Sequence, residues 1–86
     1  MGNAKIVYSD GRVASVKPRV GKHFTNEELR EIVGGDVEIV RLPKKHVMVV
    51  NSEGRIIGLP YNSMASLIAL NTTLGDVLTC EERMIM

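Results

Sequence analysis

Few residues of this 86-residue chain have types and spacings that suit chemistry: two histidines, His23 and His46, a single cysteine, Cys80, a set of carboxylates, and a G-L-P-Y-N segment at Gly58 to Asn62. That segment is the strongest candidate for a binding site. Pro60 stiffens the approach to a predicted helix, Asn62 or Ser63 can cap it, and free amides at a helix start receive anions. Tyr61 adds a ring able to stack on a base or sugar. A second candidate is the basic run Lys17, Arg19 and Lys22, with Arg12 and the Lys44-Lys45 pair as further cations for phosphate. Pro60, Tyr61, Asn62, Ser63, Lys17, Arg19 and Lys22 therefore make up the expected ligand-binding set.

The remaining reactive groups point away from catalysis. A zinc site needs three or four ligands, and one cysteine with two well-separated histidines has no zinc spacing, so no metal and no other cofactor is expected. Cys80 follows Val77 and Leu78, the setting of a buried thiol and not of an activated nucleophile. Glu28 is placed to cap a helix, while Glu27 and Glu31 fall four apart on its solvated face. Asp76 after Gly75 reads as a turn former. Gly34-Gly35 runs from helix into strand, the reverse of a phosphate-binding loop, and so reads as a helix stop. The expectation is a protein that is not an enzyme.

The elements that must position these groups are legible in stretches. Phe24 to Val40 specifies a helix and the strand after it: Thr25 as N-cap, Glu28 as its capping-box partner, Phe24 and Leu29 as a hydrophobic staple, then Gly34 as the stop. Before it, Ala4 to Tyr8 and Val13 to Val16 flank a Ser9-Asp10-Gly11-Arg12 turn and predict a hairpin, with Pro18 ending the second strand. Strands are predicted at about 37 to 42, 46 to 50 and 55 to 58 as an antiparallel meander, a second helix follows Asn62, and Val77 to Cys80 forms a last strand. The order ββαββ(β)αβ implies an α+β domain: five to six short, mostly antiparallel strands with two helices on one face.

Size and composition set the outer bounds. The chain makes one domain, residues 1–86, with an ordered core at about 4–80 and an apolar tail at 81–86; a domain of this size buries roughly 60 to 65% of its unfolded surface and supports a single modest core. Apolar residues are 44% of the chain and aromatics only 3%, so Val, Ile, Leu and Met must fill that core. The net charge of +1 gives no global attraction to nucleic acid, but the charges are segregated. Residues 1 to 25 carry five cations against Asp10, and residues 26 to 43 carry five carboxylates against Arg30 and Arg41, an arrangement that predicts two faces of opposite sign. One cysteine and no secretory signal segment place the protein in the reducing cytoplasm, and no apolar stretch approaches the ~20 residues of a membrane helix.

The series V-x-P (Val16, Pro18), G-x-x-F-T-x-x-E-L (Gly21 to Leu29), V-G-G-x-V-E-I-V-x-L (Val33 to Leu42), M-V-V-N-x-E-G (Met48 to Gly54), G-L-P-x-N-x-x-A (Gly58 to Ala65) and G-D-V-L-x-C (Gly75 to Cys80) resembles a small uncharacterised bacterial domain family. The match spans roughly residues 5 to 80. Members of that family are common in phages, plasmids and gut-bacterial mobile elements, and they carry no catalytic residues to transfer. They usually have a longer second helix and loop before the G-D-V-L segment than the Leu70 to Leu74 connection here. The resemblance implies a non-catalytic protein that captures a partner stoichiometrically, either a small anionic, nucleotide-like signal or a host protein, in service of counter-defence. Homo-oligomers would supply a shared pocket. The alternative expectation is an accessory protein contacting DNA or a DNA-associated enzyme.

Overall fold

A five-stranded antiparallel sheet organises the computed structural model, which describes residues 4–85. Strands β1 (Ala4–Val7) and β2 (Val13–Val16) form the predicted opening hairpin, with Gly11 at a φ of 97° in its turn. Strands β3 (Val37–Leu42) and β4 (His46–Asn51) form a second hairpin. Strand β5 (Val77–Glu81), last in sequence, inserts between β1 and β4 and gives the order β2-β1-β5-β4-β3. The α+β class is as the sequence implied.

Helix α1 (Asn26–Val33) has the ends its sequence specifies. Glu28 N–H donates to Thr25 Oγ1 at 3.1 Å, and Thr25 N–H donates back to Glu28 Oε1 at 3.0 Å, a complete capping box. Gly34 closes the helix at a φ of 81°, where a side chain would be strained. Gly35 serves differently: a Cβ there would stand 3.0 Å from Asn51 Nδ2, the group that donates to Val33 O at 3.1 Å and ties the helix exit to the end of β4.

Strand side chains alternate between faces, so register sorts the core into two layers. Ile6, Leu78, Val49 and Ile39 lie in one row and join Leu29, Val33 and Phe24 beneath α1. Val7, Val77 and Met48 point to the other face, where Ala65 of helix α3 (Ser63–Ala69) packs on them. Two helices on one face is thus corrected to one on each. The reason lies in Val47 to Val50, which are apolar in both phases of the alternation and need cover on both sides.

Two further expectations change. The strand predicted at 55–58 is instead a single helical turn, α2 (Gly54–Ile57), closed by Gly58 at a φ of 73°. Asn51 Oδ1 accepts from Glu53 N–H at 2.8 Å, and this side-chain turn bends the chain away from the sheet before a third hairpin strand can pair. The tail of the sequence reading is a 3₁₀ turn (Glu82–Met84) with Met84 buried in the α1 core and its carbonyl accepting from Phe24 N–H at 2.7 Å; Met86 lies outside the described residues. The β3–β4 turn places both Lys44 and Lys45 near a φ of 60°, a pattern that normally selects Asn-Gly and costs of order 1–3 kcal/mol per non-glycine residue. No helix among the described residues is long and apolar enough to cross a membrane.

Candidate functional site

Asn62 is the pivot of the Gly58 to Ser63 junction. Only 1% exposed, it donates through Nδ2 to Val7 O at 2.9 Å and Gly75 O at 2.8 Å, and its Oδ1 accepts from Ala65 N–H at 3.0 Å. One side chain therefore caps α3, holds it to the end of β1 and fixes the loop entering β5. Two backbone bonds close the same unit, Asn62 N–H to Thr73 O at 3.0 Å and Gly75 N–H to Pro60 O at 2.7 Å. The cap predicted from sequence is present, but its polar groups are saturated by the fold. Pro60, Tyr61 and Ser63 stay exposed, Tyr61 forming an isolated bridge to Leu74.

The structure separates this junction from the basic run. Register defines two ends of the sheet: one carries the exit of β2, the β3–β4 turn and the start of α1; the other carries the β1–β2 turn, the exit of α1 and the Asn62 junction. Lys17, Arg19 and Lys22 sit at the first end, Pro60 to Ser63 at the second, so the seven expected residues do not form one pocket. Arg12 is also remote from the basic run: it pairs with Asp10 and covers the Tyr8 ring at 4.5 Å.

Nor does the segregated charge produce two clean faces. The Arg19 guanidinium pairs with Glu31, and Arg19 N–H donates to Glu28 Oε2 at 2.9 Å, so the basic connection is strapped onto the acidic helix. Glu28 therefore serves as cap and strap anchor together. Its carboxyl is held below the usual range, first by the Thr25 amide and then by that of Arg19.

Asp76, Cys80 and His46, weighed for catalysis, have structural employment. Asp76 Oδ1 accepts from Ser9 N–H at 2.9 Å, joining the β1–β2 turn to the start of β5. Cys80 is buried beneath α1, and burial pushes its thiol up to about 11, the opposite of nucleophile activation. His46 Nδ1 lies 3.1 Å from Lys44 O within the β3–β4 turn. A shallow cleft of about 280 Å³ beside Leu59 and Pro60 is lined in part by Glu31 and Asp76 and by no Lys or Arg that could hold an anionic guest.

The most distinctive surface is one the candidate list passed over. Tyr61, Met64, Leu67 and Ile68 follow one another at helical spacing along the outer side of α3, and Leu70 ends the helix at a φ of 55°. All five are exposed, Leu67 at 71% and Leu70 at 87%, and Ile56 and Ile57 of the preceding turn are exposed as well. Ala65, Ser66 and Ala69 face inward, so the short residues lie inside and the large apolar ones outside. Residues 56 to 75 contain no Asp, Glu, Lys or Arg. That charge-free run is the signal in the sequence that points to this surface.

A profile of a domain of unknown function, DUF3846, matches residues 5–83. No curated protein and no solved structure matches the chain.

Proposed function

We propose that this chain, which belongs to the DUF3846 family, is a non-catalytic binding domain that captures a partner protein stoichiometrically through the outer side of α3. The observation that carries the reading is the row Tyr61, Met64, Leu67, Ile68 and Leu70, exposed and free of charge, on a helix whose inner side already covers the sheet. An exposed apolar row of this kind marks an interaction site. Asn62 supports the same reading: it locks α3 against β1 and β5, so the apolar row is presented on a rigid base. In the mobile-element setting that the family resemblance implies, the captured protein belongs to the host and the outcome is counter-defence. A protein partner is favoured over a small anion because no Lys or Arg lines the cleft beside Pro60.

A photo-crosslinking residue at Leu67, expressed in host cells, tests this directly, with the same residue at Val20 as the control because Val20 is also exposed and apolar but lies in the basic connection. Crosslinks to one discrete heterologous protein at position 67 and none at 20 are the expected result. No adduct at 67, or adducts only between copies of this chain, would overturn the reading.

A further inference from the structure

The protein has five lysines, and the topology gathers all of them at one end of the sheet. Lys17 leaves β2, Lys22 lies in the loop that leads to α1, Lys44 and Lys45 form the β3–β4 turn, and Lys5 is one residue inside on β1. All are exposed, and among the described residues no lysine takes part in an ion pair. Most arginines behave oppositely: Arg12, Arg19, Arg30, Arg41 and Arg83 are paired, and of the six only Arg55, beyond β4 at the opposite end, has no ion pair among the described residues. At the lysine end, Glu82 and Glu81 are neutralised by Arg41 and Arg83, and Glu28 is bound by amides, leaving Glu27 as the carboxylate without an ion pair; Glu31, farther along α1, pairs with Arg19. Asp10, Asp36, Glu53 and Asp76 lie toward the opposite end. The molecule is electrically polar along its strands.

We infer that this lysine end docks on the phosphate backbone of a nucleic-acid duplex without reading its bases. The spread of the cations selects a polymer over a small phosphorylated molecule: β2 and β4 are three strand spacings apart, about 14 Å, a distance spanned by about three successive phosphates of one duplex strand. Lysine acts as a point charge on a flexible stem without the planar fork of arginine, which suits contact to the phosphate backbone. Tyr8 and Tyr61 are at the opposite end, away from where unpaired bases would stack, which favours a duplex over a single strand. The turn supplies a second, independent observation. Lys44 and Lys45 occupy the two left-handed positions where Asn-Gly would be relaxed, and the turn is fixed by Glu82 N–H donating to Lys45 O at 2.8 Å, so two lysines are held at a strained tip.

The test is fluorescence anisotropy of the whole chain with a labelled 20-base-pair DNA duplex of arbitrary sequence, between 50 and 200 mM salt. Four or five phosphate contacts give a logarithmic salt slope of about −4 and a loss of affinity on the order of 10²-fold over that range. The double variant K44N/K45G, which relaxes the turn, is expected to melt no lower than the parent yet lose about half of the slope; K17Q removes about one further contact. Absence of duplex binding at 50 mM salt would overturn the inference, as would K44N/K45G binding with an unchanged slope. Tighter binding to polyglutamate or to single-stranded DNA than to the duplex would also overturn it, in favour of an acidic protein or an unpaired strand.

Discussion

Asn62 shows how a residue with every mark of a ligand contact becomes a strut. Its cap role was legible in the Asn-Ser that follows Pro60, because capping is local; its two bonds to Val7 O and Gly75 O were not, because they join positions 55 and 13 residues away. Replacement by Ala leaves two buried carbonyls and the Ala65 amide without partners, and at 1–3 kcal/mol for each unsatisfied group, discounted for relaxation, a loss of about 2–5 kcal/mol in urea-unfolding stability is expected. Cys80 gives a prediction in pH. Its thiol is raised from an ordinary 9.0 to about 11, so the unfolded chain ionises first; stability is intact below about pH 9 and falls as pH rises toward about 11. Cys80→Ala should remove that alkaline decline, measured by urea unfolding across the range, whatever its effect at neutral pH.

At the scale of elements, legibility followed locality. Helix α1 was readable end to end because its cap, staple and stop all lie within Phe24 to Gly35, and both hairpins were readable because turn residues sit between β-rich runs. Helix α2 was misread as a strand: Arg55-Ile56-Ile57 has strand composition, and only the Asn51 side-chain turn and the packing of Gly54 against Leu74, where a Cβ would meet Leu74 Cβ at 3.3 Å, divert the chain. The cover of both sheet faces depends on which phase of the strand alternation each helix meets, a matter of register that no local pattern states. The outer row of α3 carries the element-scale prediction. Because Met64 and Leu67 are exposed, the double variant M64E/L67E should keep its folding free energy within about 0.5 kcal/mol of the parent, seen as a thermal midpoint shifted by no more than about 4 °C. A residue buried in the core would not tolerate a carboxylate.

At the scale of the molecule, β5 joins the two hairpins into one sheet, and the same insertion makes the domain polar: unpaired lysines at one end, Asp10, Asp36, Glu53 and Asp76 toward the other, and an uncharged apolar row on the face that α3 covers. Lys17, Lys22, Lys44 and Lys45 were legible as cations for phosphate, but their gathering at one end with Lys5 was not, since it depends on register, and the apolar row resembles any amphipathic helix until its inner side is known. The charge segregation that was visible has a different use, strapping the basic connection onto α1 through Arg19. Partner capture by α3 is the central claim. Its most direct measurement is hydrogen–deuterium exchange of the chain alone and in complex with the protein crosslinked at Leu67. Protection concentrated in residues 56 to 70, with the β1–β2 turn unchanged, is the predicted result. Unchanged exchange across 56 to 70 in the complex would contradict it.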